Sequence, residues 1–336
     1  MIVKNEQDNI EKAIVGVRDI IDEFIIVDTG STDSTVSIIK GLGIEPHYFD
    51  WVDDFAAAKN YAKSRATGDW ILFLDGDECI NRRDLPLIEA AINDESFDAY
   101  RIEKRSYVND AEMFSFNKCL GKYPEEEIEF IGYLGEPNDL LFKNLPTINF
   151  FGIIHETIGG SLSENGHIVK YLKDVAIHNY GRHDMASKNE LYSRLIDKRL
   201  EANDEDSGAW YYKGLDYDAA GYFEMAEDCF KKAIDIGFSG GAIFALALTQ
   251  MRMKNLIEAE ENFMKFLKTS PREVQAWKNL LFISYYKKDT RKFETYVESI
   301  KLNKMIGLMA RYIVEYYEKL ECPALADYYR RTYVKD

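Results

Sequence analysis

Only four cysteines occur in the 336 residues, at positions 79, 119, 229 and 322, and no two of them form a CxxC pair. A disulfide framework and a zinc knuckle are therefore not expected; buried reduced thiols are. Basic residues are also short: 42 Lys and Arg stand against 58 Asp and Glu, a formal net charge of -16. Such a surface repels nucleic acid and anionic lipid, because phosphate binding requires clustered Lys and Arg. No run of eighteen uninterrupted apolar residues exists, so no helical membrane span is expected. Met1-Ile2-Val3-Lys4-Asn5-Glu6 has no basic segment followed by an apolar stretch, so no secretory signal is read and the expected compartment is the cytoplasm. The acidity also sets a condition on any enzyme here that takes a phosphorylated substrate. A metal ion or local amide donors must offset the unfavourable field.

Apolar residues make up 46% of the chain, enough to fill real cores, and the length suits two domains. Short apolar runs alternate with helical patterns over the first hundred residues. Strands are expected over residues 1–4, 23–28, 44–49 and 70–74, and helices over 8–20, 33–42 and 54–66, with Gly43 and Gly68 as stops. This alternation predicts a parallel sheet covered by helices, with ligands beyond the carboxyl ends of the strands. Asn5, Asp28 and Asp75 all stand at such ends. From residue 98 to about 180 the pattern is less regular. A strand is expected over 98–108, an acidic loop over 124–130, strand-like runs over 150–156 and 175–179, and a polar linking helix over 184–202.

After Ser207 a repeat sets in. Trp210, Ile243 and Trp277 are spaced by 33 and 34 residues, and Ala226, Ala259 and Phe293 keep those offsets, as do Phe230, Phe263 and Val297. Small residues let paired helices approach while aromatics fill the groove between units, the pattern of tetratricopeptide repeats. Residues 306–332 read as a degenerate fourth hairpin. The domain boundaries expected are 1–182, a helical linker over 183–206, and repeats over 207–336.

Asp75-Gly76-Asp77-Glu78 follows the apolar run Ile71-Leu72-Phe73-Leu74. Two carboxylates flanking a glycine at a strand end can hold Mg2+ or Mn2+ bridging to a diphosphate, and the glycine keeps the turn clear of side chains. On its own, an Asp-x-Asp tripeptide in an acidic protein is most often a solvated turn. Val27-Asp28-Thr29-Gly30-Ser31-Thr32-Asp33 forms a second strand-end loop. Asp28 can accept from a nucleobase N–H and Asp33 can cap the helix that follows, or the loop is a plain strand-to-helix turn.

These two segments, with Met1-Ile2-Val3-Lys4-Asn5-Glu6, Asp54-Phe55-Ala56-Ala57-Ala58-Lys59-Asn60 and Gly68-Asp69-Trp70, closely resemble glycosyltransferase family two in order and spacing. Gly152-Ile153-Ile154-His155-Glu156 and Ile177-His178-Asn179-Tyr180-Gly181 extend the resemblance. A repeat tail after such a domain looks like a bacterial subgroup that includes bacteriocin S-glycosyltransferases and flagellin or surface-glycan transferases.

The resemblance implies an α/β GT-A fold and inverting transfer from a UDP-sugar, UDP-glucose or UDP-N-acetylglucosamine foremost, to a peptide or protein. It implies nucleotide binding by Val3, Asn5, Glu6, Asp28, Gly30, Lys59, Asp75 and Gly76. Asp77 would be the principal ligand of Mn2+ or Mg2+, with His178 as its imidazole ligand. Glu156 would be the base and His155 would orient it or touch the phosphates. Alternatives are a glycan or lipid-linked saccharide acceptor, repeats that serve a homodimer, and a catalytically silent scaffold.

Overall fold

The computed structural model describes residues 1–109, 116–180, 185–238 and 240–334. Packing divides the chain into two compact units, Met1–Leu195 and Ile196–Asp336. The break falls inside one helix, Met185–Ala202, rather than between separate elements. The boundary expected at 182/183, and the start of the linking helix at 184, lie outside the described residues.

The first unit opens with three parallel strands, β1 (Ile2–Val3), β2 (Val27–Asp28) and β3 (His47–Tyr48). Ile2 pairs with Val27, and Val27 with His47. Each ladder is two residues long, shorter than the apolar runs that encode it. Helix α1 (Ile10–Val17) buries Ile10, Ala13, Ile14 and Val17, the stripe expected of a helix with one face in the core. Helix α2 (Thr35–Gly41) begins two residues later than expected. The Asp33 carboxylate accepts from the Thr35 amide and hydroxyl (2.9 and 2.6 Å) and from the Gln7 amide (3.2 Å), so it tethers the loop before the helix. Helix α3 (Phe55–Arg65) is capped as its sequence indicates, Asp54 accepting from the Ala57 amide at 2.9 Å.

Beyond β3 the expectation of a parallel sheet fails. Strands β4 (Trp70–Leu72) and β5 (Glu78–Ile80) flank the acidic tip. After α4 (Leu85–Ile92) come β6 (Ala99–Val108), β7 (Phe116–Lys118), the short helix α5 (Pro124–Glu127), β8 (Gly132–Lys143), α6 (Gly159–Glu164) and β9 (Val169–Asn179). The second sheet runs β4-β8-β6-β9-β5, with β7 on β8. β4 and β5 pair antiparallel with β8 and β9, while β6 and β9 are parallel. A long antiparallel ladder joins β6 to β8, from Ala99↔Phe142 to Val108↔Gly132. Residues 150–156 form a loop, not a strand. Gly152 (φ 101°) and His155 (φ 54°) turn the chain back, leaving only a Phe151↔Thr157 bridge.

Helix α7 (Met185–Ala202) leads into four helical hairpins: α8 (Ser207–Ala219) with α9 (Phe223–Ile236), α10 (Gly241–Arg252) with α11 (Leu256–Leu267), α12 (Val274–Tyr286) with α13 (Thr290–Leu302), and α14 (Ile306–Lys319) with α15 (Pro323–Tyr333). The residues at repeat offsets, Ala226, Phe230, Ala259, Phe263, Phe293 and Val297, are all buried. A Cβ on Gly214 would meet the Phe230 ring at 2.6 Å, which is why the small residue is required there. Each hairpin turns through one left-handed residue: Gly221, Lys254, Lys288 and Glu321. The next amide reaches back five residues each time, Tyr222 to Tyr217, Asn255 to Gln250, Asp289 to Ser284 and Cys322 to Tyr317, at 2.8–2.9 Å. The fourth hairpin, degenerate in sequence, repeats this turn fully.

Three of the four turns place a side chain where glycine is favoured. Lys254→Gly and Lys288→Gly should each stabilise the chain by about 0.5–1 kcal/mol, the left-handed penalty less the added freedom of the unfolded glycine. Urea unfolding of the full chain measures this. Lower midpoints would show that the lysine side chains contribute more than their backbone strain costs.

Candidate active site

The tip between β4 and β5 carries three carboxylates in four residues, and the fold decides what each meets. Glu78 is buried on β5. Its carboxylate accepts from the Asp75 amide (3.0 Å) and pairs with Lys104 of β6 (3.2 Å), which rigidifies the tip. Burial and the neighbouring Asp75 push the Glu78 pKa up, against the pull of Lys104. Asp75 points the other way, to Lys59 Nζ at 3.1 Å. Gly76 lies so close to the first strand that a Cβ there would stand 2.9 Å from Glu6 Cγ and 3.1 Å from Val3 Cγ1. Only glycine fits that approach.

Lys59, on α3, is buried against the rings of Phe73 and Phe150, 4.8 and 5.6 Å from their centroids. Its ammonium bridges Asp75 to Glu156 Oε1, the latter at 2.7 Å. Burial opposes the charge, but Asp75 and then Glu156 outweigh it, so the pKa rises and Lys59 stays protonated. The same ammonium draws the Asp75 pKa down against its own burial. The loop bearing Glu156 is held to α3 by the Phe55 amide, which donates to the Ile153 carbonyl at 3.0 Å, and by Asn60, which exchanges two 2.9 Å bonds with the Phe150 backbone. Asp77 is half-buried and close enough to Glu78 to raise its pKa. Asp75 and Glu156 thus pair with Lys59 and Glu78 with Lys104, and Asp77 adds a fourth carboxylate beside Glu78. The cluster is net negative and favours a cation over a bare diphosphate.

Beside this tip the β1 and β2 ends interlock. Asn5, with φ 56°, donates its amide to Ser31 Oγ (2.9 Å) and accepts from the Thr32 amide (2.8 Å). The Glu6 amide donates to Thr35 Oγ1 at 2.7 Å. Asp28 is buried and accepts from the Gly30 and Ser31 amides at 3.1 Å each, while Gly30 takes φ 105°. Asp28 therefore shapes its own loop. A base contact would use the lone pairs that those amides leave.

Residues 1–134 match the family model described as glycosyl transferase family 2. An uncharacterized glycosyltransferase of Rickettsia felis is 36% identical over 137 residues, covering 39% of this chain and 48% of that protein. Residues 1–134, within the first unit, therefore carry a family 2 glycosyltransferase domain. The SPbeta prophage-derived glycosyltransferase SunS of Bacillus subtilis is 27% identical over 244 residues, 70% of this chain and 52% of its own. A TPR repeat-containing protein of Synechococcus elongatus is 28% identical over 297 residues, 83% of this chain and 68% of its own. The chain spans about half the length of the Rickettsia felis and Bacillus subtilis relatives. The hairpins after the transferase domain are tetratricopeptide-type repeats.

Within the transferase domain the structure brings together Val3, Glu6 and Gly76, and separately Lys59, Asp75 and Glu156. It does not offer His178 as a metal ligand. Successive side chains alternate along a strand. Asn179 approaches Glu78 at 3.5 Å, so His178 faces the opposite side, fully buried beside Tyr107 and Tyr123. Its Nδ1 shares a 2.7 Å hydrogen bond with the Tyr107 hydroxyl, and its Nε2 is buried without a partner. Burial, then Arg105, Lys12 and Lys122, lowers its pKa to about 3. His155 is exposed, its ring 6.0 Å from that of Tyr192 on α7.

The His178 placement has a measurable consequence. As pH falls below the unfolded value of 6.5, the unfolded chain takes a proton that the folded chain refuses until about pH 3. This group therefore removes about 2 kcal/mol of stability between pH 6.5 and pH 5. Relative to wild type, His178→Phe should gain that amount across the window while leaving UDP affinity in Mn2+ unchanged. A stability gap independent of pH, or lost UDP affinity, would return His178 to the site.

Sequence reasoning missed Lys104, Glu78 and Tyr192. Strand alternation in β6 could have placed Lys104 on one face, but only the β6–β9–β5 order brings it to Glu78. No local signal marks Tyr192.

Proposed function

We propose that the transferase domain moves a sugar from a UDP-sugar to a polypeptide acceptor with inversion, assisted by Mn2+ or Mg2+. The observation that carries this reading is the Lys59 bridge, which fixes Asp75 and Glu156 on either side of one ammonium group. In a single displacement the acceptor's lone pair bonds to the anomeric carbon as the bond to the diphosphate oxygen breaks. The electron pair leaves on UDP and the acceptor proton goes to a base. Lys59 holds Glu156 by Oε1, which orients the carboxylate for that role. The interlocked Asn5 and Gly30 loops supply the nucleotide side, and Gly76 lets the acidic tip pack directly on Val3 and Glu6 beside them.

The donor set suits a hard divalent cation. Asp77 and Asp75 offer carboxylate oxygens, and ions of this kind complete their shell with water and substrate phosphates. Among the described residues no cluster of three or more His, Cys, Asp or Glu side chains that could hold a metal is formed. Asp77, with Asp75, would therefore hold the ion jointly with the nucleotide, where it neutralises diphosphate charge.

A polypeptide acceptor is supported by the helical-hairpin unit, since such arrays suit extended peptides. Tyr211 is spent on packing, its ring 4.7 Å from Phe238, whereas Tyr222 is 59% exposed and open to a partner. Among the described residues no helix is long and apolar enough to cross a membrane.

A hydrolysis screen of UDP-sugars tests the reading without knowledge of the acceptor. One donor should be hydrolysed slowly in Mn2+ or Mg2+ and not in EDTA. Equal rates in EDTA, or no hydrolysis of any UDP-sugar together with no affinity for UDP, would contradict it.

A further inference from the structure

The aromatic wall beside the acid cluster has no part in the chemistry above. Trp51, Phe55, Tyr192 and His155 follow one another edge to face, with ring centroids 4.7, 6.0 and 6.0 Å apart. Phe55 begins α3, one turn before Lys59, and His155 immediately precedes Glu156. Tyr192 thus packs against both of the elements that carry the Lys59–Glu156 pair. It is half-buried, and its hydroxyl makes no hydrogen bond to another described residue. Burial first, then the charges of Glu156, Asp75 and Asp77, raises its pKa, so at neutral pH it is a phenol with a proton to donate, close to three carboxylates.

We propose that Tyr192 contacts the transferred sugar, its hydroxyl donating to a sugar hydroxyl and its ring, with Phe55 and His155, backing the sugar's C–H face. The proposal rests on the reading that Asp77 marks the diphosphate and Glu156 the acceptor side, because the sugar must then lie between them. Aromatic faces suit the apolar side of a pyranose, and a hydrogen bond to one ring hydroxyl discriminates between donors that differ there. Tyr192 is therefore a specificity-determining residue. It contributes nothing to nucleotide or metal affinity.

The full chain in Mn2+ is titrated by calorimetry with UDP, UDP-glucose, UDP-galactose and UDP-N-acetylglucosamine. The wild type should separate the three sugar donors. Tyr192→Phe should leave UDP affinity within about twofold, weaken the preferred donor about tenfold and narrow the separation, and Tyr192→Ala should go further. Unchanged donor affinities in both variants overturn the proposal, as does a loss for UDP equal to that for the sugars, or a wild type that does not distinguish the donors. If wild-type protein binds no UDP at all, the underlying reading fails and this inference with it, an outcome distinct from intact UDP binding with unaltered donor preference.

Discussion

Lys59→Met should lower the stability of the chain by about 2–4 kcal/mol. The methionine keeps the stem packed against Phe73 and Phe150 but removes the ammonium that Asp75 and Glu156 share. Breaking a buried pair from one side leaves charge uncompensated, typically at about 3–5 kcal/mol. The Asp75 side chain is 36% exposed and recovers part of this through water. Glu156, only 13% exposed, has less recourse to it. The companion variant Lys59→Met/Glu156→Gln should regain part of the loss, because the carboxylate with least access to solvent is then neutral. Unfolding in urea of the wild type, Lys59→Met, Glu156→Gln and the double variant measures the coupling. Strict additivity would mean that the bridge does not hold the loop of Glu156 to α3.

The second large effect is kinetic. Glu156→Gln keeps a carbonyl oxygen for Lys59 and nearly the same shape, so folding and nucleotide affinity should be retained. It cannot accept the acceptor's proton, and turnover should fall by about 10²–10⁴-fold, the usual worth of a positioned general base. Affinity for UDP in Mn2+ should stay within about twofold, separating the base from the nucleotide site. A variant that transfers sugar at near-normal rate would exclude Glu156 as the base and leave it a structural partner of Lys59.

How much of this could be read from the sequence depends on how local each cause is. The strand-end loops were legible because a close backbone approach at Gly76 and a left-handed turn at Gly30 each restrict residue type locally. The repeats were legible because every unit must offer the same small and aromatic contacts to the next, which writes a 33–34-residue period into the chain. Strand β8 was not. It contains Gly132, Gly135 and Pro137, each a poor strand former, and exists because β6 supplies a long antiparallel partner. Residues 150–156 misled in the opposite sense. Their apolar side chains suggest a strand, yet the left-handed turns at Gly152 and His155 make a loop that delivers Glu156 to Lys59. His178 sits near a strand end, as Asp28 and Asp75 do. Which face it takes is set by the β5–β9 register, and pairing Glu78 with Asn179 sends the histidine into the core.

The account depends most on a cation joining Asp77 to the diphosphate of the donor in a cluster that is otherwise too negative to bind it. Calorimetry of UDP with the wild type and with Asp77→Asn, in Mn2+ and in EDTA, tests this directly. The wild type should bind UDP tightly only with Mn2+ and Mn2+ weakly without UDP, and Asp77→Asn should lose the metal-dependent part while its melting temperature is kept. Equal UDP affinity in Mn2+ and EDTA, unaltered by Asp77→Asn, would contradict it.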